Sequence, residues 1–205
     1  FLISSFIYFY VYLHFQKAKI RLKLVLNFIK SLFLRRFISK SSIVREHVLT
    51  SLTDAKDVGL LCEITDEQSY QEIMSLFLKL PRRGRTYWLM GYVNDKAVPF
   101  YCIQQLTADF ICNKEFNWYG KPLKIQIFDF ISKEFDMLID FTNRELPAVQ
   151  SILSLSHAKF IVGANKKNDQ FYDLLIDSEE IFSPFSLLQQ IHDYTLKLTG
   201  QHDKR

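Results

Sequence analysis

The sequence predicts an α/β fold: a single three-layer-like domain with a mixed, partly parallel sheet, preceded by a basic N-terminal helix. Three observations carry that prediction. Residues 135–164 read as strand, helix, strand: an apolar run from Met137 to Phe141, a polar turn, a helical stretch opened by Pro147, and a second apolar run from Phe160 to Val162. Met137 to Ile139 is apolar on both parities, as a strand covered on both faces is, and Val58 to Ile64 (VGLLCEI) reads as a second buried strand. Finally, 205 residues rich in Phe and Tyr and holding only six Gly and five Pro suit one domain with a real core, not a disordered or repetitive chain.

The elements follow in order. Residues 1–24 form an apolar segment whose first 15 residues carry no charge. It fits a membrane anchor, although a span usually needs about 20 apolar residues; the basic residues that follow would then leave the body on the cytoplasmic side. A secretory signal is disfavoured, because the basic region follows the apolar run. The segment also fits translated upstream DNA: 13 of residues 1–24 are Phe, Ile, Tyr or Lys, and Gly, Pro, Asp and Glu are absent. Initiation near Leu24, Val25 or Leu26 is the corresponding expectation.

Residues 25–47 are expected as a basic amphipathic helix with Leu26, Ile29, Phe33 and Phe37 on one face. Lys30, Arg35, Arg36 and Lys40 surround that face and are candidates for contact with a partner or an anionic membrane surface. The α/β domain then spans residues 48–200. After the strand at 58–64, Asp66 caps a helix bearing Ile73, Leu76, Phe77 and Leu80, which Pro81 and Gly84 stop. Strands at 86–93 and 98–104 should pair as a hairpin through Asn94-Asp95. Residues 107–123 read as an ordered loop, and 124–131 as a strand. Behind the central unit, the link from Gly163 to Phe171 is short for a helical crossover, so the strand at 172–177 is expected to run antiparallel. A helix at 184–198 and a frayed tail at 201–205 close the chain.

Charge divides the molecule. Residues 1–45 hold nine of the 26 Lys and Arg residues and none of the 22 Asp and Glu residues, so the body carries 17 basic against 22 acidic groups. A mildly acidic body does not suggest nucleic-acid binding. Cys62, Cys102 and Cys112 show no C-x-x-C spacing and read as buried, reduced thiols of a cytoplasmic protein.

Motifs that carry chemistry are scarce. The five histidines are scattered without metal-ligand spacing, so no metal and no cofactor is expected, and no G-x-S-x-G elbow or other catalytic signature assigns a catalytic residue. Ligands of open α/β sheets bind beyond the carboxyl ends of parallel strands, which makes Asp140, Thr142 and Arg144 candidate ligand-binding residues. Asp177 echoes Asp140 in a repeated strand pattern (FDMLID, YDLLID), but an antiparallel last strand would put it on the opposite rim. Arg82, Arg83 and Arg85 around Gly84 could clasp a phosphate or close a helix as a solvated turn. Trp118 and Tyr119 could stack on a ring or anchor their loop into the core.

The strand at Phe135–Asp140, the Pro147-led helix, the stretch from Ser156 to Gly163 and the strand at Tyr172–Asp177 together resemble a family of short bacterial proteins known as a domain of unknown function of the Bacteroidota. The resemblance covers roughly residues 57–198 and the basic helix ahead of them. It implies an α/β fold and no assigned activity. The leading expectation is a non-catalytic cytoplasmic binding or scaffold module whose basic helix meets a membrane surface or a protein partner. The alternative is a small enzyme or phosphate-ligand-binding domain acting at the sheet rim near Asp140 and Arg144.

Overall fold

The structure, a computed structural model, describes residues 2–41, 43–164, 169–177 and 183–200, with side chains from residue 19 onward. The tail expected at 201–205 lies outside the described residues, as do the side chains of most of the first apolar segment. Six strands form one sheet: β1 (Asp57–Ile64), β2 (Thr86–Val93), β3 (Ala108–Cys112), β4 (Met137–Asp140), β5 (Ile161–Ala164) and β6 (Leu174–Ile176). Their order is β3-β2-β1-β4-β5-β6. Around them lie α1 (Leu2–Ser41), α2 (Glu67–Lys79), α3 (Ile125–Ser132), α4 (Pro147–Leu155) and α5 (Pro184–Leu198).

The α/β class and the single sheet stand. The sheet is parallel at every described strand pairing, however, where a mixed sheet was expected. Two corrections explain the difference. Residues 98–104 form no strand, so no hairpin exists; the partner of β2 is β3, reached after a turn-rich link that packs Val98, Tyr101 and Cys102 on the core. Pro99 removes a ladder donor from the run expected as a strand. The second correction concerns β6, which pairs parallel with β5 at Val162–Leu174. Nine residues separate Ala164 from Leu174, enough for about 30 Å of extended chain. Returning past a four-residue strand needs only about 13 Å, so no helix is required.

Two further expectations change. Residues 124–131 are helical: Ile127, Phe130 and Ile131 are buried while Ile125 and Phe128 are exposed, a 3.6-residue period in a run too apolar to show it in sequence. The basic helix ends at Ser41 instead of 47 and continues upstream without a break at 24. Residues 43–50 instead run along the amino end of β5, where the Val48 amide donates to the Lys159 carbonyl at 3.1 Å. Arg45 donates to Asp173 at 2.6 Å and to the carbonyl of Phe171 at 3.2 Å, which ties this segment to the start of β6.

The core has two layers. α2 and α5 cover Val58, Leu60 and Cys62 on one face; α3, α4 and the end of α1 cover Leu61, Met90 and Leu138 on the other. Helix starts follow local chemistry. Asp66 accepts from the Ser69 amide at 2.7 Å and Ser69 Oγ accepts from the Asp66 amide at 3.1 Å, a reciprocal cap for α2. Pro147 opens α4 where no amide donor is needed. At the β3 edge, Gln105 exchanges backbone bonds with Ala108 and Glu115 accepts from the Cys112 amide at 2.7 Å, which blunts the edge against pairing.

Candidate functional site

β1 and β4 are neighbours whose outgoing connections turn to opposite faces, α2 on one side and α4 on the other. In such sheets this is the crevice where ligands bind. Asp140, Thr142 and Arg144 all lie at its rim, as their position after β4 predicts. Their chemistry is already engaged. Asp140 is fully buried and accepts from the Thr142 amide at 2.8 Å and from the Tyr172 hydroxyl at 2.6 Å. Arg144 Nε donates to Glu63 at 2.8 Å, and its Nη2 closes a second bond to the same carboxylate, a bidentate pair across the crevice. That pair holds the guanidinium above its ordinary range, the hydrogen bonds to Glu63 being the main cause. The turn from β1 into α2 holds Asp66 and Glu67 and no glycine, so it offers acids where a phosphate loop would offer amides.

Tyr172 explains how Asp140 comes to be buried. Its ring lies across Gly163, where an added Cβ would stand 2.5 Å from the ring edge. Only glycine admits that crossing. Burial, then the Asp140 charge, push the Tyr172 hydroxyl far above the usual phenol range, so it serves as a donor. The Cys62 thiol is likewise raised by burial first, which keeps it an inert core group. Burial and the Glu63 charge push Tyr92 up to about 12. Asp177 stands on the same rim as Asp140, since β6 is parallel, and not on the opposite one as expected. The intervening β5 keeps the two about 10 Å apart, two strand spacings.

Arg82, Arg83 and Arg85 precede β2 and therefore lie at the opposite, amino rim. They do not join Asp140, Thr142 and Arg144, and they do not act together. The Arg82 guanidinium rests 4.8 Å from the centre of the Phe77 ring, and Arg85 donates to the Thr53 carbonyl. Gly84, at φ 71°, makes the reversal between them.

The basic helix is arranged differently. Among its described side chains only those of the last turns meet the body, through buried Leu34 and Ile38, with Phe33 edge-on to Trp118 at 5.0 Å and Phe37 beside Tyr119. Phe33 lies against the loop that leaves the carboxyl end of β3, while the segment after Ser41 runs along the amino end of β5. Residues 19–30 therefore project past the carboxyl rim, and all of them are exposed. At about 3.6 residues per turn, Leu22, Val25, Ile29 and Leu32 line one side, roughly opposite Leu34 and Ile38. Arg36 and Lys40 continue that line toward the body and Arg21 flanks it, while Lys30 lies on another side and Ile20, Leu24, Leu26 and Phe28 are exposed around the rest of the helix. Arg35 instead borders a cleft of about 1140 Å³ between α1 and α4, with Glu145 and Phe171 in its walls. The side chains of Lys30, Arg35, Arg36 and Lys40 make no hydrogen bond or ion pair among the described residues.

Sequence reasoning missed Glu63 and Tyr172. An acid inside the run VGLLCEI was the available signal for the first, because a carboxylate in a buried strand needs a cation. Nothing local pointed to the second. It also expected the apolar face of the basic helix at Leu26, Ile29, Phe33 and Phe37, whereas the body buries Leu34 and Ile38 and leaves Leu26, Ile29 and Phe33 exposed. Among the described residues, no group of His, Cys, Asp and Glu could hold a metal ion, and no helix is long and apolar enough to cross a membrane.

A family of unknown function, DUF6913, matches residues 27–198, from the middle of α1 to the end of α5, and the chain belongs to it. No curated protein and no solved structure matches the chain.

Proposed function

We propose that this protein is a non-catalytic binding module that attaches to an anionic membrane surface through α1, on the cytoplasmic side. One observation carries the reading: the projecting half of α1 leaves Leu22, Leu24, Val25, Leu26, Phe28 and Ile29 exposed around its circumference, uncovered by the body, on a helix without a single acidic residue. In water those side chains cost free energy; in the headgroup region they are buried and the cations of the helix meet phosphate. Charge decides between a bilayer and a second copy of the helix, because two such helices repel one another while anionic lipid attracts each. Three buried cysteines without disulfides suit a reducing compartment.

Flotation of the full chain with vesicles of phosphatidylglycerol and phosphatidylcholine tests this. The protein should rise with the vesicles at low salt and be released as salt screens the lysines. A chain that stays at the bottom of the gradient at low salt overturns the reading. The rival, an enzyme or phosphate-binding domain at Asp140, Thr142 and Arg144, is favoured by their place at the crevice alone. Its support would be a melting temperature raised by nucleotides or sugar phosphates and unmoved by them in Arg144→Ala.

A further inference from the structure

The body exposes a second apolar surface beside the point where α1 leaves it. Trp118, Leu123 and Ile125 each leave more than half of their surface open, and Phe128 follows one turn into α3. All belong to the segment that runs from the end of β3 to α3, along the carboxyl rim. The segment is rigidly held. The Leu123 amide donates to the Glu115 carbonyl at 2.8 Å, and Ser151 of α4 donates to the Gly120 carbonyl at 2.5 Å. Gly120 itself, at φ 104°, sits so close to Pro147 that a Cβ would meet its backbone at 2.9 Å. The exposed rings and aliphatics are thus presented by a fixed loop, and folding does not bury them.

Two features say what covers them. The patch is continuous with the exposed apolar side chains of α1, because the Trp118 ring stacks edge-on against half-exposed Phe33. It is also rimmed by cations: residues 113–128 contain Lys114, Lys121 and Lys124 against the single acid Glu115, which Lys124 approaches at 3.4 Å. Lys121 places its ammonium 5.8 Å from the Phe37 ring, at the junction with α1. Exposed Asp129 marks the limit of the patch. Tryptophan with flanking lysines and aliphatics is the composition that settles at the level of lipid headgroups.

We propose that the body lies with this part of its carboxyl rim against the same anionic bilayer as α1, inserting Trp118, Leu123 and Ile125 at the boundary between headgroups and acyl chains. The proposal rests on the membrane reading of α1 and adds to it a second contact that sets the orientation of the body. A helix alone would leave the domain free to swing; two contacts joined through Phe33 and Trp118 hold it in one attitude.

Tryptophan fluorescence of the full chain tests this. Trp88, the other tryptophan, is part-buried and donates to Asp109 at 2.7 Å, so Trp118 is the reporter of the rim. With vesicles of phosphatidylglycerol and phosphatidylcholine, emission should shift to the blue and be quenched by lipid brominated near the headgroup. Trp118→Phe should abolish both signals while the protein still floats. Leu123→Asp with Ile125→Asp, both at exposed positions, should weaken vesicle binding about tenfold with an unchanged thermal melt. Flotation without quenching of the wild-type chain would overturn the rim contact and leave α1 attachment standing; absence of flotation would overturn both. A vesicle-free dimer that Ile125→Asp dissociates would also overturn the proposal, since a second copy would then cover the patch.

Discussion

The crevice between β1 and β4 and the projecting half of α1 treat the same kinds of side chain in opposite ways. At the crevice the central charges are engaged: Glu63 with Arg144, and Asp140 with Thr142 and Tyr172. On α1, Lys30, Arg36 and Lys40 engage nothing among the described residues, and beside them whole aliphatic side chains stand in water. The crevice is where an α/β sheet conventionally binds ligands, and here its polar groups also lock neighbouring strands together. A surface whose needs are unmet is a better guide to function than a site defined by topology alone.

The largest effect should come from the unmet surface. Leu22→Glu with Ile29→Glu should reduce vesicle binding about a hundredfold, through lost burial and added repulsion, with no loss of stability in a denaturant melt. A comparable loss from Arg144→Ala would break the contrast between the two regions. The lock comes next. Gly163→Ala forces a methyl into the Tyr172 ring, and urea melts should show a loss of about 2 kcal/mol with vesicle binding intact. Tyr172→Phe strips Asp140 of a donor and should cost a similar amount, about 2 kcal/mol by the same melts.

Smaller effects sharpen the picture. Arg144 is about half exposed while Glu63 is almost enclosed, so solvent screening limits the worth of their pair. Arg144→Gln should cost about 1 kcal/mol in a chemical melt, and a phosphate-ligand site there would instead show as altered ligand shifts. Asp173 gives the pH dependence. Burial opposes its ionisation, but bonds from Arg45, the Ile161 amide and His47 hold its carboxyl below the usual range. Its folded value being the lower one, its contribution is complete above about pH 4 and is lost as pH falls through the folded value. Thermal melts of Asp173→Asn should therefore be less stable than wild type at neutral pH and converge with it in acid.

Much of the architecture was legible because it is written locally. Asp66 and Pro147 mark helix starts, and MLID and VGLLCEI are apolar on both parities, so β1, α2, β4, α4, β5 and α5 could be placed from neighbours in sequence. Lys124 to Ile131 could not, since a run so apolar fits a strand and a helix alike until burial separates Ile127 from Phe128. Asp140, Thr142 and Arg144 were placed at the right rim by their position after a strand. That Glu63 spans to Arg144 was beyond reach, because β1 and β4 become neighbours only when a connection crosses two strands.

By itself the sequence determined the α/β class, the helix starts, the charge division between α1 and the body, and the strand ends that carry the candidate residues. These depend on periodicity, capping and composition, which act over a few residues. Only the tertiary structure decided that all the described strands run parallel, β6 beside β5 included, that Tyr172 lies across Gly163, and that α1 turns Leu34 inward and Leu22 outward. Those outcomes depend on which distant surfaces meet. Strand direction and the face of a helix that is left over are settled by packing between segments far apart in the chain, and no local pattern encodes them.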